Sequence, residues 1–294
     1  MSGDPNALIE HLKTGLTTVC RAWALTRKDG TVLGFTDHDR DLTFDGIVFR
    51  AGGGMTARAV ESGNGLAVDN SEAQGVLNHS SIRAEDIHAG RFDGAKIQIW
   101  EVNWADVASR RMIFRGTIGE ITETGRAFEA ELRGLADALN QPQGRVFQKN
   151  CDAILGDKAC KLDLNLPGYF VEIGLLGTRE DRVFSVPPLE GFDHGWFERG
   201  RAVVLDGQAA GLTGVIKFDS WYEDRREFEL WQSLRAPLAA GDRVRLEAGC
   251  DKRAETCRLK FHNFLNFQGF PNLPGEDWLM SYPAQGGIHD GGRR

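Results

Sequence analysis

Long apolar runs are missing from this 294-residue chain. No stretch approaches the length needed to cross a bilayer, so no helical membrane segment is expected. Residues 1–30 hold Asp4, Glu10, Lys13 and Arg21 without the apolar core of a secretory leader, so synthesis is expected in a reducing cytoplasm. Basic runs are scarce too. None reaches five residues, and the net charge is −7 with a sequence pI near 5.6. A duplex-binding surface needs clustered cations to displace counterions, so specific nucleic-acid recognition is not expected. Nucleotide and hydrolase signatures are lacking as well. Gly52-Gly53-Gly54 is not followed by Lys-Ser/Thr, so it is no phosphate loop. No dinucleotide fingerprint and no His-Glu-x-x-His is present. Proline is sparse, nine residues against thirty-six glycines, which favours many short turns over long helices. The fold class that follows is mainly β, a β-rich α+β chain.

The pattern along the chain agrees. Pro5 to Lys13 reads as one short helix with Asp4 as its N-cap. Asp29-Gly30 between Thr18–Thr26 and Thr31–Thr36, and Asp45-Gly46 between Leu42–Phe44 and Ile47–Phe49, are hairpin signals. Ser81–Ala89 reads as a short helix, Lys96–Val102, Arg111–Glu123 and Ala127–Arg133 as strands, and Gly134–Leu139 as a helical turn. Four segments are predicted: a strand-rich domain over 1–165, a connector over 166–190 with strand patches of ambiguous membership, a small β module over 191–280, and a flexible tail over 281–294. Trp196–Leu205, Leu212–Asp219, Glu227–Trp231 and Asp242–Glu247 are the strands expected in the module, which reads as a small barrel or folded sheet. Trp221, Tyr222, Phe228 and Trp231 lie at strand spacing. They read as core first, and as interface anchors second.

Four of the five cysteines form two pairs, Cys151 with Cys160 and Cys250 with Cys257. Converging thiolates bind soft metal centres, zinc or an iron–sulfur cluster. Structural zinc favours close knuckles with two to four intervening residues, whereas eight separate the first pair here and six the second. Longer arms suit a cubane, each of whose corners takes one thiolate. Zinc, disulfides and unrelated buried thiols stay open on the residues alone. Lys149, Lys158, Lys161, Lys252, Arg253, Arg258 and Lys260 flank the pairs and would stabilise an anionic centre, though solvated loops carry such residues too. Cys20, in the apolar run Thr18–Trp23, reads as a packed core residue.

The stretch Gly249-Cys250-Asp251-Lys252, Thr256-Cys257, Phe261, Asn263, Asn266-Phe267, Gly269-Phe270-Pro271 and Pro274-Gly275 resembles the C-terminal signature of tail-tip (baseplate) hub proteins of long-tailed phages and phage-derived gene transfer agents. It is similar in kind to the minor tail protein L family of lambda-like phages, whose C-terminal region holds a four-iron cluster through four cysteines. Asn150-Cys151-Asp152 and Lys158-Ala159-Cys160 stand in the place of the first pair. The resemblance implies a structural virion protein and not an enzyme. It implies a [4Fe-4S] cluster on Cys151, Cys160, Cys250 and Cys257, and a homotrimer. The distal tail protein would lie above it and a tail-tip or megatron-type protein below, with DNA passing through the ring. Its location would be the virion tail tip, after assembly in the bacterial cytoplasm. The alternative from another class is an iron–sulfur electron-transfer subunit of an oxidoreductase, which needs a second cofactor or donor within reach. A cell-wall hydrolase is a third reading, and it conflicts with all four cysteines serving as ligands.

Weaker constellations remain. Asp37-His38-Asp39-Arg40-Asp41 resembles the start of a calcium loop, but Leu42 and Val48 replace the required Gly and Glu, so it reads as a solvated hairpin end. His194 and His262 have no nucleophile near them in sequence and read as surface or core residues.

Overall fold

The computed structural model describes residues 3–15, 18–52, 70–73, 82–124, 127–134, 137 and 144–274. Helix α1 (Pro5–Lys13) starts where expected, with Asp4 Oδ1 accepting from the backbone N–H of Asn6 and Ala7 at 2.9 and 3.2 Å. Proline in its first turn costs no hydrogen bond. Leu8 is fully buried.

An eight-stranded sheet follows, built from β1 (Val19–Thr26), β2 (Val32–Thr36), β3 (Leu42–Phe44), β4 (Ile47–Arg50), β5 (Asn70–Ala73), β6 (Lys96–Asn103), β7 (Arg110–Thr124) and β8 (Ala127–Gly134). Its order is β3-β4-β2-β1-β6-β7-β8-β5. Both Asp-Gly steps make their turns, and at the second Asp45 and Gly46 carry φ of 50° and 76°. Paired positive φ angles match the twist of a two-residue hairpin. Both faces of the sheet are covered near its centre. Trp23 and Leu25 of β1 face Phe35, Ile97, Ile99 and Leu132 on one side. Cys20, Ala22 and Ala24 face Phe44, Phe49, Trp100 and Val102 on the other. Side chains alternate between faces along a strand, so a strand packed on both sides is apolar at nearly every position. That is why Val19–Thr26 shows no alternation. Helix α2 (Ala84–His88) lies inside the expected Ser81–Ala89. The helical turn expected over Gly134–Leu139 and the tail over 281–294 fall, apart from Gly134 and Asp137, outside the described residues.

The second sheet contains β9 (Phe170–Gly174), β10 (Gly177–Arg179), β11 (Val183–Val186), β12 (Arg201–Val204), β13 (Thr213–Trp221), β14 (Arg226–Leu230) and β15 (Arg243–Glu247), in the order β10-β11-β14-β13-β12-β15-β9. The strand patches of residues 166–190 thereby gain a place as β9, β10 and β11 of this sheet. Only Leu175 and Leu176 separate β9 from β10, although these strands end opposite sides of the order. Leu175 N donates to Asp242 O and Leu175 O accepts from Gly241 N, both at 2.9 Å, while Leu176 N donates to Ser185 O at 2.8 Å. One bent strand therefore touches both ends and curls the sheet into a small barrel, which removes long exposed edges. Phe184, Val186, Phe197, Ile216, Phe228, Leu230, Val244 and Leu246 fill it, each no more than 1% exposed.

One charge pair shares that interior. Arg226 and Asp219 side chains are 1% and 0% exposed. Arg226 donates to Asp219 Oδ1 at 2.6 Å and Oδ2 at 2.7 Å, and also to the carbonyls of Phe192 (3.1 Å) and Asp193 (2.6 Å). Asp219 Oδ2 accepts Phe197 N at 3.0 Å. A buried pair is tolerated when its remaining donors and acceptors are satisfied. The strand-spaced aromatics divide differently from the expectation of core. Phe228 is fully buried, but Trp221, Tyr222 and Trp231 are 39%, 44% and 59% exposed. Arg226, Phe228 and Leu230 occupy the inward positions of β14, so Trp231 falls on the outward side. Trp221 ends β13 and lies over the Arg226 guanidinium at 5.2 Å. The two sheets meet where Arg91 donates to the carbonyls of Ala210 (2.8 Å) and Gln208 (2.7 Å) and Arg235 pairs with Asp93 at 3.2 Å.

Candidate metal centre

All four paired cysteines line one narrow apolar pocket, together with Leu155, Phe261 and Phe267. Cys151 and Cys160 come from the loop between the sheets. Cys250 leaves β15, and Cys257 sits on the short helix α3 (Ala254–Leu259). The amphipathic stretch expected from Arg258 to Phe267 is thus the end of α3 followed by a 3-10 turn over Phe264–Asn266. All five cysteines of the chain are free thiols. Among the described residues, no group of three or more His, Cys, Asp or Glu is set to hold a single metal ion.

Local devices hold each segment. Gly249 passes so close to Glu198 that a Cβ would overlap the Glu198 carbonyl oxygen. Its N–H donates to Trp196 O at 3.0 Å. Cys250 is thereby fixed against the barrel. Cys151 N donates to Lys252 O at 2.9 Å, which joins the two pairs through backbone. Asp157 organises the first loop. Its carboxylate accepts from Ile154 N (2.9 Å), Ala159 N (2.9 Å) and Cys160 N (2.7 Å), and these bonds, the one from Cys160 foremost, hold its pKa below the usual carboxylate value. Gly269 packs on Asn150, whose carbonyl would lie 2.7 Å from an added Cβ. Phe270 N donates to Gln148 O at 2.9 Å, and Arg145 Nη2 donates to Gln268 O at 2.5 Å. The chain after Cys257 thus returns to the segment before Cys151. Lys161, Lys252 and His262 all adopt left-handed φ, between 50° and 66°. Such backbone strain in non-glycine residues concentrates at sites that the surrounding structure over-determines.

Three of the sulfurs receive N–H groups: Cys250 from Lys252 N at 3.4 Å, Cys151 from Gln268 N at 3.4 Å, and Cys160 from Asn263 Nδ2 at 3.5 Å. Burial, then the neighbouring thiols of Cys250, Cys151 and Cys160, push the Cys257 thiol up to about 11. Burial also raises Cys250, against the pull of the Lys252 N–H. Thiolates gathered in apolar surroundings repel each other, so their joint ionisation requires a bound cation. Two of the seven flanking cations turn inward. Lys252 Nζ donates to Ala153 O, and Lys260 Nζ donates to Trp196 O (2.6 Å) and Gly249 O (2.9 Å) while lying over the Trp196 and Phe261 rings. Burial lowers Lys260 to about 8. Lys149, Lys158, Lys161, Arg253 and Arg258 are exposed.

The remaining candidates lie elsewhere. Cys20 is in the core of the first sheet, its thiol raised to about 11 by burial. Asp37 and Asp41 accept backbone N–H groups of Arg21 (2.7 Å) and Ala51 (2.8 Å). His194 packs against Trp221 with its ring tilted by 31°, and His262 is exposed. Asp157, Trp196 and Gln268 were not singled out by sequence reasoning. Asn263 stood in the signature without a role.

Residues 5–163 match the family model described as baseplate hub protein, N-terminal attachment domain. Residues 195–277 match a second model, described as phage conserved hypothetical protein BR0599. A chain in the solved structure titled "Virion of native gene transfer agent (GTA) particle" shares 56% identity, with 98% of this chain and 99% of that chain covered and a TM-score of 0.91. A comparison with curated protein sequences finds no match. The hub-domain model covers more than half of the residues and ends just after the first cysteine pair, and the chain belongs to the baseplate hub protein family.

Proposed function

We propose that the chain is a structural tail-tip hub of a gene transfer agent or phage-like particle, stabilised by a [4Fe-4S] cluster on Cys151, Cys160, Cys250 and Cys257. The whole-length likeness to a virion chain at 56% identity carries the first part of this reading. The shared thiol pocket carries the second. The donor chemistry fits a cluster. Four soft thiols line one cavity, no carboxylate is among its lining residues, and N–H groups aim at three of the sulfurs. When bound, the cluster supplies iron–thiolate bonds that cross-link the loop before the barrel to the chain leaving it.

The chain's own residues do the rest. Gly249, Asp157 and Gly269 seat the cysteine segments, and the barrel gives them a rigid wall. Cys160 and Cys250 stand about 90 residues apart in sequence, and by the chain-entropy relation for cross-links a loop of that length is worth about 4–5 kcal/mol. A part of a tail under pull and twist benefits from such a tie. The hub works as a homotrimer in the virion, seated on the distal tail protein and holding a tail-tip or megatron-type protein below, with no catalytic turnover. Anaerobic purification followed by iron, acid-labile sulfide and zinc assays tests the centre, and co-purification with tail proteins tests the assembly. About four irons and four sulfides per chain are expected. A colourless protein with one zinc, or with no metal, refutes the cluster.

A further inference from the structure

We propose that Asn263 is a positioning residue that raises the reduction potential of the centre through its hydrogen bond to the Cys160 sulfur. The inference rests on the cluster reading above. Three of the four sulfurs have an N–H donor, and among the described residues Cys257 has none. The donors to Cys250 and Cys151 are backbone groups of Lys252 and Gln268 and come with the fold. The donor to Cys160 is a side chain, and it is the member of the set that a sequence change can alter alone.

That side chain has one usable orientation. Asn263 Oδ1 accepts from Asn266 Nδ2 at 2.7 Å, while Nδ2 donates to Cys160 O at 2.6 Å and reaches Cys160 Sγ at 3.5 Å. Rotating the amide would set its oxygen against a carbonyl and a thiolate, both acceptors, and its NH₂ against another donor. The backbone is anchored as well, since Asn263 N donates to Cys257 O at 3.0 Å. One residue thus links the first cysteine pair to the second. An N–H aimed at a thiolate sulfur draws electron density from it, and reduction adds negative charge that the same N–H stabilises. Hydrogen bonds to the sulfurs are one of the levers by which a protein sets cluster potential.

The test uses the full chain, purified without oxygen as wild type, Asn263→Asp, Asn263→Ala and Asn266→Ala. Asn263→Asp keeps the shape and replaces the donor by an acceptor. Asn266→Ala keeps Asn263 but removes the group that orients its amide. Potentials are read by reductive titration of the visible and electron-spin signals, and iron loss is followed with a chelator. Expected are a fall of about tenfold in the reduction equilibrium of Asn263→Asp, about 59 mV for one electron, and a smaller fall in Asn266→Ala. Iron loss should quicken by about tenfold or more in Asn263→Ala. Variants that hold iron at an unchanged potential overturn the inference, because a purely structural role would move retention alone. Should both Asn263 variants lose iron outright, an unchanged potential in Asn266→Ala overturns it. A wild-type protein without iron refutes the parent reading instead.

Discussion

Replacing Arg226 by Met removes the cation of the buried pair while keeping most of the side-chain volume. Asp219 is then left 0% exposed with Phe197 N as its remaining partner among the described residues, the Phe192 carbonyl loses its Arg226 donor, and the Asp193 carbonyl keeps Trp196 N alone. Removing one partner of a buried pair costs about 3–5 kcal/mol. The Asp219→Asn variant costs less, because its amide oxygen still accepts Phe197 N. The double variant restores part of the loss, since no buried charge remains. The cycle is measured by urea unfolding of the barrel, read from the fluorescence of Trp221, which lies over the Arg226 guanidinium. Coupling between the two sites of about 1.5 kcal/mol or more is expected, within the range found for groups in contact. The effect reaches the cysteines. Phe192 and Asp193 begin the turn whose Trp196 carbonyl accepts from both Gly249 N and Lys260 Nζ, so Arg226→Met should also hasten metal loss to chelators. Additive single variants, or an Arg226→Met penalty below about 1 kcal/mol, would refute the reading that the two buried side chains depend on each other.

Cys257→Ser should abolish the four-iron stoichiometry proposed above, whereas Cys20→Ser, which changes a core thiol in the first sheet, should leave metal content as in the wild type; iron assays on both purified variants decide. Gly249→Ala should prevent Cys250 from seating, because its Cβ overlaps the Glu198 carbonyl, and a variant with wild-type metal content and melting temperature would contradict this close approach. Arg91→Ala removes the two hydrogen bonds to Ala210 and Gln208 at the meeting of the sheets. Calorimetry should then resolve two transitions further apart than in the wild type, and an unchanged profile would locate the coupling elsewhere.

Local elements and the identity of the paired cysteines were legible in the sequence, because each depends on a few neighbouring residues. Asp4 caps its own helix, Asp45-Gly46 turns its own hairpin, and the cysteine spacing sets the length of chain between the two thiols of each pair. The signature around Cys250 and Cys257 named the family for the same reason. Tertiary structure decided what depends on distant partners. The parallel pairing of β2 with β4 and the enlistment of residues 170–186 in the barrel leave no local mark, since a strand's neighbour is chosen by packing across the sheet. Trp221 and Trp231 have strand spacing, yet register and strand ends turn them outward. Asn263 lies 103 residues from Cys160, and only the fold brings its amide to that sulfur. Chain-local chemistry therefore determined which residues are candidates for the proposed centre, and long-range packing determined which groups surround them.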